Sequence, residues 1–243
     1  MGIHHRNRIL SSLPADVLAS IRPHLTHVKL QAGETLHESG SSVGRVYFMC
    51  DGVAAYIKMM SDGRSTLVGT VGVEGMTAHT VALGGHQMIS DCIMHIAGTA
   101  VAIDIEVLQR LSQKYASLRL AMRNVAAYMS DQFVQIAACN RLHSLEQRYA
   151  RILMTDYDNV ESGEFRLTQE CLAMALGAQR PHVSVVAAQF QRRSLIQYKH
   201  GNVRITDPVG LRAVSCECYH VIHDEIALLF EPANVCSVSC RSG

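Results

Sequence analysis

Five cations stand in a stretch of this 243-residue chain that holds no acid. Arg180, Arg192, Arg193, Lys199 and Arg204 all lie between Glu170 and Asp207. A local excess of positive charge is the electrostatic footprint of phosphate contact. The residue types around it suit the reading of a duplex. The Arg180 guanidinium can bridge O6 and N7 of a guanine. Ser184 offers a hydroxyl to a base or phosphate, and Val185 an apolar surface for a thymine methyl. Gln179, His182, Lys199 and Arg204 suit phosphate contacts, which position without specifying.

Such side chains work only if a scaffold holds them. Residues 167–196 read LTQECLAMALGAQRPHVSVVAAQFQRRSLI. Thr168 is an N-cap candidate, at the edge of the duplex contact, and Glu170 complements the first turn of the helix that follows. Leu172 and Leu176 face inward, and Gly177 permits a sharp turn. A second helix starts near Arg180, with Pro181 tolerated in its first turn. Val183, Val186, Ala187 and Phe190 form its buried stripe. Arg180, Ser184, Val185, Ala188 and Gln189 lie opposite. The pattern predicts a helix-turn-helix. Leu195 to Tyr198, a turn at Lys199 to Asn202, and Val203 to Ile205 then read as a β-hairpin wing.

The rest of the chain has two other textures. A helical lead-in, with apolar residues from Leu10 to Leu25, is broken by Pro14 and Pro23. From Val28 to Ile105, short β-branched runs alternate with glycines, and Asp62-Gly63 is a hairpin signal. These features predict a small antiparallel roll. After Glu106 the pattern is helical. Leu118, Met122, Val125, Met129, Gln132 and Ile136 step by 4, 3, 4, 3 and 4. That spacing predicts a dimer seam with Gln132 setting register, the alternative being an ordinary core helix. A single helix is expected from Pro208 to Phe230. The expected order is a roll over 1–112, a dimerisation helix over 113–140, a winged helix-turn-helix with its last helix over 141–230, and a flexible tail over 231–243. The fold class is α+β.

Lys+Arg 22 against Asp+Glu 21 leaves a net charge of +1, which excludes a uniformly basic coat. No apolar run approaches the ~20 residues of a membrane span. Met1 to Arg8 lacks an apolar signal core, and Arg6 breaks the N-myristoylation pattern. The expected location is the cytoplasm. The chain has 8 Cys but no CxxC, so a zinc ribbon or an N-terminal iron–sulfur cluster lacks its ligands. Cys50, Cys92, His79, His86 and His95 fall in the roll. They are read as packed or surface residues, with a redox, metal or haem sensor as the alternatives. Cys216, His220 and His223 share one face of the expected last helix and could bind zinc, although packing of that face against the rest of the protein is the preferred reading. No metal site is assigned.

These motifs resemble the Crp/Fnr superfamily of bacterial transcription regulators over roughly residues 9–212. The resemblance rests on ILSSLPADVLASIRPHL, the Gly33-Glu34 turn, VYFMCDG at 46–52, the long helix and residues 167–196. AACNRLHSLEQRYARIL at 137–153 and CECY at 216–219 resemble one subgroup. The resemblance implies a cyclic-nucleotide-binding-like roll and a homodimer on a pseudo-palindromic operator in double-stranded DNA, with RNA polymerase a further partner. Cyclic-nucleotide-binding members hold the phosphate with a Gly-Glu-Leu run and a later Arg-Ser or Arg-Thr pair. Here those segments resemble Ala78-His79-Thr80 and Met88-Ile89-Ser90-Asp91. His79, Thr80 and Ser90 are therefore the effector-pocket candidates. No Lys or Arg occurs from Ser65 to Gln109. A buried phosphate needs a charge-assisted partner, so no cofactor and no tight cyclic AMP binding are expected. The family's usual glutamate and second arginine readers are replaced by Pro181 and Val185, which implies a different operator. A cupin-type metalloenzyme is the other class. The roll lacks a His-x-His pair, and an enzyme gives no reason for the wing.

Overall fold

The computed structural model describes residues 6–230. The expected tail at 231–243, with Cys236 and Cys240, lies outside the described residues. Two short helices open the chain, α1 (Arg8–Ser12) and α2 (Ala15–Ile21). Asn7 accepts the Leu10 N–H to start α1, and Pro14 separates it from α2.

A five-stranded antiparallel roll follows: β1 (Thr26–Leu30), β2 (Thr35–His37), β3 (Arg45–Met59), β4 (Ser65–Val71) and β5 (Asp91–Asp104). The strand order is β1-β5-β3-β4, with β2 also on β5. The Asp62-Gly63 turn closes the β3–β4 hairpin, where Gly63 adopts φ +83°. The expectation of many short strands needs correction. The apolar runs on either side of Gly52 belong to one strand, and so do those on either side of Gly98. The two glycines face each other at a register shift between β3 and β5. A Cβ on Gly98 would stand 2.0 Å from the Asp51 carbonyl oxygen. These glycines mark a bulge where two backbones approach, not chain reversals.

Next come α3 (Ile105–Lys114) and the 27-residue α4 (Ala116–Leu142), split by the extended backbone of Tyr115. The C-terminal portion contains α5 (Leu145–Asp158), β6 (Glu164–Arg166), α6 (Gln169–Leu176) and α7 (Arg180–Arg192). It ends with β7 (Ile196–Lys199), β8 (Asn202–Ile205), α8 (Pro208–Val214) and α9 (Cys218–Leu229). A capping box between Ser144 and Gln147 starts α5. The single helix expected from Pro208 to Phe230 is two helices, because the backbone is extended at Ser215. His220 and His223 are exposed on α9 while Cys216 is buried in the turn before it, so the three do not converge. Among the described residues, no helix is long and apolar enough to cross a membrane.

The seam on α4 is the main correction. Leu118, Met122, Val125, Met129, Gln132 and Ile136 are all buried within one chain. Their spacing reports a helix packed on its own domain. Gln132 Oε1 accepts the Thr70 N–H from β4 at 2.8 Å, and Gln132 Nε2 donates to the Tyr128 hydroxyl at 2.8 Å. The exposed face of α4 carries Leu120, Ala127 and Val134, seven residues apart, with Leu120 59% and Val134 70% exposed.

In a dimer seam Gln132→Leu would stabilise. Here it orphans the buried Thr70 N–H, at a cost of about 1–3 kcal/mol. Urea unfolding is expected to show that loss at every protein concentration.

Candidate nucleic-acid interface

The helix-turn-helix is built locally. Thr168 accepts the Cys171 N–H at 3.2 Å and caps α6. Gly177 ends α6 in the left-handed region at φ +57°, which glycine adopts without a Cβ penalty. Gln179 stands at the N-cap of α7, Arg180 is its first residue, and Pro181 sits in the first turn. Leu172, Ala175 and Leu176 of α6 and Val183, Val186, Ala187 and Phe190 of α7 are buried. That shared core sets the angle between the helices and turns the other face of α7 outward. Gln179, Arg180, His182 and Val185 are exposed there, Val185 to 55%.

Beside α7, β7 and β8 form the wing. His200 and Gly201 both take positive φ, +51° and +81°, which matches the right-handed twist of a tight hairpin. Lys199 stands exposed at the tip. β6 adds a third strand through its pairing with β8, which the sequence reading lacked.

Charge at the interface differs from the linear count. Arg193 pairs with Glu146 at 2.8 Å and Arg204 with Glu164 at 2.6 Å. Both carboxylates come from outside the acid-free interval. Arg204 Nε also donates to Glu164, at 2.9 Å, so this candidate phosphate contact carries its own counter-ion. The Ser184 hydroxyl donates to the Arg180 carbonyl at 3.0 Å or to the side chain of Gln169 on α6. Arg180, Arg192 and Lys199 keep their heads exposed.

The roll holds the second site. His79, Thr80 and Ser90 line one cavity of about 470 Å³, with Lys58, Val68, Gln87, Met88, Ile89 and Phe133. His79 packs edge-on against Tyr56 and against Phe133 of α4, at ring distances of 5.4 and 5.2 Å. Its burial lowers the imidazole pKa to about 4, as burial also does for His37. The expectation of a cation-free pocket needs correction, since Lys58 enters from β3, outside the cation-free interval Ser65 to Gln109. Lys58 Nζ donates to the Ile89 carbonyl. Cys50 and Cys92 are buried in the roll with thiol pKa values raised by burial, and His86 is exposed. His95 Nε2 lies 3.3 Å from Asp156 Oδ2 on α5. Among the described residues these five form no cluster of three potential ligands.

The chain thus combines an N-terminal antiparallel roll, a long helix and a C-terminal winged helix-turn-helix. Residues 147–214 match the family profile described as a Crp-like helix-turn-helix domain. The chain is 31% identical over 117 residues to the HTH-type transcriptional regulator Cmr of Mycobacterium tuberculosis (strain CDC 1551 / Oshkosh). That match covers 47% of this chain and 46% of the relative, so the chain spans less than half of that relative's length. Among solved structures, FixK2 from Bradyrhizobium japonicum is similar with a TM-score of 0.64 at 12% identity, covering 79% of this chain and 98% of that one. A Crp/Fnr-family regulator from Eubacterium rectale gives 0.62 at 16% identity, covering 85% and 96%. Residues 147–214 are thus a Crp-like helix-turn-helix domain, and the described residues share the fold of these solved structures.

The buried histidines give a sign for pH. Their folded pKa values, about 4, lie below the 6.5 of an exposed imidazole. The unfolded chain therefore binds more protons between those values, and stability falls as pH drops from 6.5 toward 4. Denaturant unfolding at pH 5 and pH 7 is expected to show this difference, and a His37→Gln, His79→Gln double variant to show less of it.

Proposed function

We propose that the chain is a sequence-specific transcriptional regulator that binds double-stranded DNA in the cytoplasm as a homodimer. The roll cavity would receive a signal other than a cyclic nucleotide. The observation that carries this reading is the exposed face of α7, with Arg180 and Val185 outward beside the Lys199 wing. A recognition helix in the major groove places its N-terminal residues on base edges, and Arg180 is the first residue of this one.

The seam residues are spent inside the chain, so the second copy needs another face. The exposed stripe of Leu120, Ala127 and Val134 on α4 supports that role. A two-fold dimer would set its two α7 helices on half-sites about 34–36 Å apart and favour a pseudo-palindrome. RNA polymerase is the further partner this reading implies.

The cavity supports a ligand more apolar than a cyclic nucleotide. Val68, Met88, Ile89 and Phe133 line it, its histidine is uncharged at neutral pH, and its one ammonium already bonds a backbone carbonyl. Lys58 belongs to the β3–β4 hairpin, whose Thr66 lies against the Gly177 turn of the helix-turn-helix. A ligand that shifts this hairpin has a direct route to α6. The relatives reported above are regulators, which supports a binding role for the cavity rather than a catalytic one.

Arg180→Ala is expected to cost about 1–3 kcal/mol of operator binding and to relax one base position. Lys199→Ala should weaken all sequences alike and reduce the salt slope by about one. Gel shifts over a salt series, with selection from randomised duplexes, separate the two; an unchanged base preference in Arg180→Ala refutes the assignment. Calorimetry is expected to show no micromolar binding of cyclic AMP.

A further inference from the structure

Two segments that the DNA-binding reading leaves unused meet in space. Cys139 and His143 lie one helical turn apart at the C-terminal end of α4. Cys216 and Cys218 lie in and just after the turn between α8 and α9, more than seventy residues away. Cys139 Sγ and Cys216 Sγ are 3.5 Å apart, and Cys218 Sγ is 3.6 Å from His143 Nδ1. All four donor atoms fall within 4.8 Å of one another. A tetrahedral zinc ion with Zn–S of about 2.3 Å and Zn–N of about 2.0–2.1 Å needs donor separations of about 3.5–3.8 Å. The three thiols are buried and form a small cluster separate from the main core.

The surroundings also fit a metal. His143 Nε2 faces the Glu217 carboxylate at 3.1 Å. An imidazole that ligates through one nitrogen typically donates the other N–H to such a partner. Gln135 Nε2 donates to Cys218 Sγ at 3.0 Å. Arg151, on α5, is 2% exposed, its Nε has no hydrogen-bond partner, and it forms no ion pair among the described residues. A buried guanidinium requires a counter-charge. Three thiolates, a neutral imidazole and a divalent ion carry a net charge of −1, which Arg151 balances.

We propose that Cys139, His143, Cys216 and Cys218 form a closed Cys3His site for one zinc ion per chain. The ion clamps the end of α4 to the turn between α8 and α9. Binding displaces the protons still held on the three thiols and on His143 into solvent. Four protein ligands leave no open position, so the site is a staple and not a catalyst. It sits where α4 hands over to α5, and thus fixes how the helix-turn-helix hangs from the long helix.

The test uses the reduced full chain, with metal content and cobalt spectra as readouts independent of DNA binding. Elemental analysis after growth with zinc is expected to find about one zinc per chain. Cobalt(II) in its place should show thiolate charge-transfer bands and tetrahedral d–d bands. His143→Ala and Cys218→Ser should lose most of the zinc, whereas Cys171→Ala, on α6, should keep it. Glu217→Gln should weaken zinc binding by about 10–100-fold. Cys139→Ser is read only if circular dichroism shows it folded; His143, half-buried at the end of α4, keeps the proposal open to refutation if it is not. A folded His143→Ala protein with an unchanged cobalt spectrum overturns the site. So does reduced wild-type protein that takes up neither ion.

Discussion

The close approach of a long helix to a sheet organises this molecule. α4 lies against β4 so tightly that a Cβ on Gly69 would stand 2.2 Å from the Phe133 ring. Gly72 lies as close to Asn159 at the end of α5, where a Cβ would meet Oδ1 at 1.8 Å. Glycine is required at both positions because the strand backbone itself is the packing surface. The Thr70 N–H, between them, would be orphaned by that approach, and Gln132 accepts it. One polar side chain on an otherwise apolar face thus fixes the axial position of α4 on the roll. A buried amide that must be satisfied specifies register more sharply than non-directional apolar contact.

That position sets the distances elsewhere. Phe133 closes the roll cavity and packs on His79. Six residues further on, Cys139 delivers the end of the helix to the turn between α8 and α9. The β3–β4 hairpin touches the cavity through Lys58 and the helix-turn-helix through Thr66. The roll cavity, α4 and the helix-turn-helix therefore share a continuous set of packed elements. Two arrangements of that set, stabilised unequally by a bound molecule, would satisfy the thermodynamic requirement for control at a distance.

The cationic surface beside α7 is narrower than its charge count implies. Glu146 and Glu164 neutralise two of the five cations, and they come from α5 and β6. Arg180, Arg192 and Lys199 remain with exposed heads along α7 and the wing tip. Exposed ion pairs are weak, of the order of 0–1 kcal/mol, so a phosphate can compete with these carboxylates. The result is a focused cationic edge on a nearly neutral protein, which limits non-specific attraction to nucleic acid.

Local features were legible in the amino-acid order. Helix caps, the Asp62-Gly63 hairpin, the Gly177 turn, the exposed face of α7 and the wing are set by residues within one or two turns of each other. Their propensities and hydrogen-bonding capacities act at that range. The grouping of His79, Thr80 and Ser90 around one cavity was reached only through the family resemblance. Tertiary structure decided the rest. Heptad spacing on α4 shows that one face is covered but not by what, since a partner's helix and the chain's own sheet impose the same period. Glycines at a bulge read like glycines at a turn because both need freedom that a Cβ removes. The acid-free interval could not reveal Glu146 or Glu164, nor the cation-free interval Lys58. The pairing of Cys139 and His143 with Cys216 and Cys218 carries no signature along the chain, because its geometry exists only once two distant turns have packed together.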